Sequence, residues 1–94
     1  LSNPYRLSGS FTGTGSSDNL HVNKPVSVSV DFSTGPGAGT IKLERSFDDG
    51  STWKEVEEWA DESYEGIVEE VSSRVLYRFR CSTYSSGTIF YVLG

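Results

Sequence analysis

Apolar and polar residues alternate with a period of two along much of the chain, the pattern of strands with one buried and one wet face. It is cleanest at Val26, Val28, Val30 and Phe32, with Ser27, Ser29 and Asp31 between them. Residues 40–47 repeat it, with Ile41, Leu43 and Phe47 inward and Lys42, Glu44 and Ser46 outward. Arg45 falls on the inward parity, where a buried stem and a solvated head at a sheet edge are expected. In residues 75–84, Val75, Tyr77, Phe79 and Cys81 share one face and Leu76, Arg78, Arg80 and Ser82 the other. Weaker alternation predicts strands over 5–11, 20–22, 52–59, 64–71 and 88–93.

Gly, Ser, Asp and Pro separate these stretches. Loops are expected at 13–18 and 23–25, a mobile loop at 34–39, and tight turns at 48–51 and 85–87. The result is about seven to eight short strands in an antiparallel β-sandwich, jelly-roll or immunoglobulin-like, or a small barrel. A helix over 54–70 is disfavoured by Gly66 and the β-branched pair Ile67-Val68.

Length and composition narrow the reading. Ninety-four residues, 35% hydrophobic and 13% aromatic, suit one globular domain. Such a chain buries roughly 60–65% of its unfolded surface, enough for one thin core. Residues 1–4 are free to form an extended arm. They lack the basic-then-apolar plan of a signal peptide, and no stretch approaches the length of a membrane span. A single cysteine, Cys81, allows no internal disulfide. The expectation is a soluble protein made in a cytoplasm.

The net charge of −5 argues against a nucleic-acid partner. Eight of the thirteen acids lie between Glu55 and Glu70, whereas the following segment carries Arg74, Arg78 and Arg80. Separate acidic and basic faces are expected, serving as solvated strand faces or as complementary surfaces between copies or with a larger partner.

One motif is sharply spaced. Ser46, Asp48, Gly50, Thr52 and Trp53 fit Ser-x-Asp-x-Gly-x-Thr-Trp, which resembles the Asp-box hairpin of sialidase-like propellers. Asp48 can accept hydrogen bonds from turn N–H groups, Gly50 can supply a positive φ, and Trp53 can pack back over the hairpin. The expected role is a rigid hairpin tip, because so short a chain cannot form a propeller. Asp48 and Asp49 lack the spaced ligands of a calcium loop.

No catalytic set stands out. His21 is the only histidine, on a short polar strand, and Cys81 sits on an apolar parity where a small hydrophobe is the default. A His21–Cys81 dyad is the one nucleophile–base pairing available. Clustered His or Cys for a metal is lacking, and the glycine-rich 35–39 stretch has no Gly-Lys-Ser/Thr end to cradle phosphate. The reading is therefore no enzyme, no cofactor and no metal. Trp59, Tyr64, Tyr84 and Phe90 are more aromatics than a thin core can hold, so interface candidates are Tyr5, Arg6, Trp59, Tyr84 and Phe90.

Three blocks carry a family resemblance: residues 7–15 (LSGSFTGTG), 41–53 (IKLERSFDDGSTW) and 75–88 (VLYRFRCSTYSSGT). Their order is similar to that of small β-sandwich proteins encoded among the head and structural genes of tailed bacteriophages. The resemblance implies a virion protein on the capsid surface, synthesised in the host cytoplasm. The simplest form is a capsid decoration (cement) protein that binds the major capsid protein between capsomers as a homotrimer. It carries over no catalytic residue. The acidic stretch between Glu55 and Glu70 departs from the pattern. The alternative is a host-glycan-binding module of a tail or head fibre, with Trp59 or Tyr84 as its aromatic platform.

Overall fold

A computed structural model describes residues 6–22, 25–70 and 75–94. They form an all-β structure of seven strands: β1 (Leu7–Phe11), β2 (Gly15–Ser16), β3 (Leu20–Val22), β4 (Val26–Ser46), β5 (Lys54–Ala60), β6 (Tyr64–Val68) and β7 (Val75–Leu93). All pairings are antiparallel within one curled sheet, compatible with a sandwich or barrel-like fold.

The framework is the β4–β7 pair. These strands, of 21 and 19 residues, run antiparallel from Val28 opposite Leu93 to Ser46 opposite Leu76. Here the sequence expectation fails twice. The mobile loop at 34–39 and the turn at 85–87 are instead the middles of β4 and β7. The two stretches pair with each other, with Thr34 opposite Thr88, Ala38 opposite Ser86 and Gly39 opposite Tyr84. Register shifts throughout this region mark β-bulges, which bend a strand and increase its twist. Positive φ at Gly35, Gly39 and Gly87 makes the bend sterically accessible.

The bend divides the sheet into two halves. In the first, β1, residues 89–93 of β7, residues 26–31 of β4, and β6 lie side by side. In the second, β2 and β3, residues 75–81 of β7, residues 40–46 of β4, and β5 do so. One apolar cluster joins them. It takes Leu7, Phe11, Val28, Val30, Phe32, Ile89, Tyr91 and Leu93 from the first half and its bend. Leu20, Val22, Ile41, Leu43, Val75, Tyr77, Phe79 and Cys81 come from the second. The rings of Phe79 and Tyr91, 5.0 Å apart between centroids, cross from one half to the other.

Other strand boundaries shift. The first strand begins at Leu7, with Arg6 preceding it, and Tyr5 lies outside the described residues, as do the extended arm at 1–4, Asn23 and Lys24 of the expected turn, Val71 and Arg74. The expected loop at 13–18 contains the short β2. Phe47, expected inside, is 58% exposed, because β4 ends at Ser46 and the hairpin carries residue 47 off the sheet. Leu76, expected on the wet face, is buried. Its Cδ1 lies 3.8 Å from where a Cβ on Gly50 would stand, so the hairpin tip covers it.

Candidate functional site

The 46–53 hairpin is held by its own side chains. Ser46 Oγ donates to Asp48 Oδ1 at 2.7 Å and accepts from the Gly50 N–H at 2.9 Å. Thr52 N donates to Asp48 Oδ1 at 2.8 Å. Asp49 and Gly50 take positive φ to close the turn. Trp53 lies under the Arg78 guanidinium, 4.2 Å from the ring centroid, which fixes the hairpin to the outer surface of β7. The bonds from Ser46 and then from Thr52 hold the Asp48 carboxyl down at about 2, below its ordinary 3.8. A lowered carboxyl favours the folded state only while ionised. Its contribution is complete above about pH 4 and lost as pH falls through about 2. Acid titration of urea stability is expected to show this loss, and Asp48→Asn to remove that component of the slope.

The two outer faces differ. On the second half, oppositely charged residues interlock rather than separate. Arg78 Nε bonds Glu44 Oε1 at 2.9 Å, and Arg80 lies 3.9 Å from the other Glu44 oxygen. Lys42 Nζ reaches Glu55 at 3.1 Å and Glu58 at 3.7 Å. The expectation of separate acidic and basic faces is thus corrected. Antiparallel pairing sets Glu44 between Arg78 and Glu55, and Lys42 between Arg80 and Glu58. The acids of β5 and the arginines of β7 are joined through β4.

On the first half the outer face is largely uncharged. Ser8 and Ser10 on β1, Phe90 and Val92 on β7, Ser27 and Ser29 on β4, and Ile67 on β6 share it with Asp31 and Glu65. Phe90 is 44% exposed and Ile67 67%. Phe90 thus protrudes between Ser10 and Asp31, and Ile67 beside Ser27 and Glu65.

Between the halves, at the β5–β6 margin, Trp59 and Tyr64 stack with centroids 5.1 Å apart. Trp59 packs against the core, while Tyr64 is partly exposed. Three shallow hollows meet at Tyr64. One of about 390 Å³ is bordered by Ser29, Asp31, Ser63 and Glu65. Others of about 330 Å³ and 210 Å³ lie towards Glu58 and Glu62 and towards Arg45 and Ile67. Deeper in, Tyr77 Oη donates to Glu70 Oε1 at 2.7 Å, and Arg45 Nη1 lies 3.1 Å from the same oxygen. Burial and then Glu70 push the Tyr77 phenol up to about 12. The Arg45 head is therefore held by Glu70, with its guanidinium 4.9 Å from the Phe47 ring centroid.

The interface candidates do not converge on one patch. Arg6, at the start of β1, and Phe90 lie exposed on the first half. Trp59 and Tyr84 are half-buried against the core, and Tyr84 Oη donates to the Gly87 carbonyl at 2.6 Å. His21 and Cys81 do not meet as a dyad. Leu20 and Val22 face the core, so His21 faces out, whereas Cys81 is buried and its thiol is pushed up by burial. Among the described residues no group of three or more His, Cys, Asp or Glu could hold a metal ion. Ile67 and Ser8 escaped sequence reasoning because Gly66 and Gly9 interrupt the alternation around them. Comparison with protein families, with characterised proteins and with solved structures finds no match to this chain.

Proposed function

We propose that the chain is a non-enzymatic structural protein of a bacteriophage particle, a decoration protein that binds the major capsid protein between capsomers and stabilises the head as a homotrimer. Its place is the capsid surface of the virion, after synthesis in the host cytoplasm. The observation that carries the reading is the outer face of the first half. Ser10 and Asp31 flank exposed Phe90 there, and Ser27 lies opposite exposed Ile67, a composition suited to a protein partner because the apolar residues can anchor within a polar surround. The blocks that resemble the phage proteins also support it. Two of them pair directly, from Ile41 opposite Cys81 to Ser46 opposite Leu76.

The test is addition of the purified protein to expanded heads. It is expected to co-sediment and to raise their resistance to heat and chelators. Phe90→Asp is expected to weaken retention more than about tenfold, as loss of an interface anchor does. Folded wild-type protein that fails to bind heads sinks the reading.

A second reading, a host-glycan module, is favoured by the Tyr64 hollows, where a ring edge is bordered by Ser29, Asp31, Ser63 and Glu65. Sugars are commonly held by an aromatic surface with hydroxyl and carboxylate partners around it. This reading moves the platform from Trp59 or Tyr84 to Tyr64. It expects retention on host lipopolysaccharide that Tyr64→Ala abolishes; equal retention of both proteins defeats it.

A further inference from the structure

The first half of the sheet ends in two edges that pair with nothing among the described residues. β1 pairs only with β7, and β6 only with β4. Exposed edges template further strands, and soluble proteins usually blunt them with charge, proline or short length. The second half follows that practice. β5 carries Lys54, Glu55, Glu57 and Glu58, and β2 and β3 have two and three residues. β1 does not follow it. Its sequence, Leu-Ser-Gly-Ser-Phe, contains neither charge nor proline.

The two open edges match each other. Three antiparallel pairings separate β1 from β6, so the strands run in opposite directions across the half. A second copy placed edge to edge in the same sheet therefore meets β1 with its β6 antiparallel. Alternation limits the register, because core-facing positions must stay on the core side. Those positions are Leu7, Gly9 and Phe11 on β1, and Tyr64, Gly66 and Val68 on β6, whose partners Val30, Val28 and Val26 face the core.

Full five-residue overlap sets Leu7 against Val68, Gly9 against Gly66 and Phe11 against Tyr64. On the outer side Ser8 meets Ile67 and Ser10 meets Glu65. One step beyond the overlap, exposed Arg6 falls opposite exposed Glu69. The glycines coincide for a reason that is the same on both edges. A Cβ on Gly9 would stand 2.6 Å from the Tyr91 hydroxyl, and one on Gly66 would enter the Tyr64 ring. Each edge has a tyrosine lying over its central residue, so in register the two glycine layers align.

The alternatives fit less well. β1 on β1, centred on Gly9, leaves Arg6 opposite Thr12, and β6 on β6, centred on Gly66, leaves Glu69 opposite Ser63. Neither gives the terminal charges a partner.

We infer that β1 of one copy adds to β6 of another, antiparallel and centred on Gly9 and Gly66, in a head-to-tail contact between copies of this chain. Because different surfaces meet, the contact repeats from copy to copy, giving a ring where the rotation closes and a filament where it does not. The serine-rich outer face then continues from copy to copy. The inference rests on the self-association in the proposed function and not on the capsid.

The test needs no capsid. Ser8→Cys and Ile67→Cys, both on exposed positions, place thiols on directly opposed residues, within disulfide reach in this register. The double variant is expected to form covalent oligomers of this chain under mild oxidation, seen as a ladder of multiples of the monomer on a non-reducing gel. Either single variant is expected to stay uncrosslinked, with Cys81 buried and silent. Crosslinking by Ser8→Cys alone would assign a β1-on-β1 contact and overturn the inference. So would a double variant that remains uncrosslinked while sedimenting as a folded monomer. Neither result bears on binding of the wild type to heads.

Discussion

Phe79→Ala is expected to remove about 3–5 kcal/mol of stability, the range for deleting a fully buried aromatic ring. A chain of 94 residues has on the order of 5–14 kcal/mol in total, so the variant is left with a small reserve. The size of the effect follows from position. Phe79 is fully buried on the second half, directly opposite Leu43 on β4. Its ring meets Tyr91 of the first half, which in turn lies 4.9 Å from Phe11 on β1. Deleting it opens a cavity where the halves touch, and neither half can close the gap without rotating about the bend. Urea unfolding is the measurement, with Phe79→Leu as the comparison that keeps most of the volume. A loss under about 1 kcal/mol for the alanine variant would mean that the halves do not depend on a common core.

That shared core was legible in the alternation. Val28, Val30 and Phe32, Ile41 and Leu43, and Val75, Tyr77, Phe79 and Cys81 all face it as the period of two predicts. The way the strands join was not. Glycine-rich stretches read locally as loops, since nothing in residues 34–39 or 85–87 shows that each finds its partner in the other. Their pairing is a tertiary fact, decided some fifty residues apart in sequence. Leu76 and Phe47 were misplaced for a related reason. The face a residue occupies follows from strand parity, but whether that face is wet depends on what folds over it. The hairpin covers Leu76 and lifts Phe47 away. The hydrogen bonds of the hairpin were legible because they span at most four residues. The candidate surface was only partly so. Phe90 and Arg6 could be picked as exposed, but the open edges of β1 and β6 become visible only once strand order is known.

Gly39→Ala is expected to cost about 3 kcal/mol or more, although it adds one methyl group. Gly39 sits at φ +154°, a region that side chains other than hydrogen rarely enter, at a strain of about 1–3 kcal/mol. The added Cβ would also run into the Thr83 carbonyl oxygen and stand 3.1 Å from the Tyr84 Cα. Both are backbone atoms of β7, so relief requires the two long strands to move apart at the bend. More is lost than spacing. The Gly39 N–H donates to Asp61 Oδ1 at 2.7 Å, and its carbonyl accepts from the Asp61 N–H at 3.0 Å. Through this pair the β5–β6 turn is tied to the bend, and Ser63 adds a bond to the Phe32 N–H at 2.9 Å. The variant should therefore show faster amide exchange at Asp61 and Phe32 as well as lower stability. Gly13→Ala is the control, since a Cβ there meets nothing within 4 Å, and it should stay within about 0.5 kcal/mol of wild type. Asp61→Gly separates the two causes: it removes the side-chain bond of the tie, suits the positive φ of residue 61 and leaves β7 uncrowded, and should loosen the turn at a cost of about 1–2 kcal/mol. If Gly39→Ala matches the Gly13 control, the close approach of β4 and β7 at the bend is not what holds the halves together.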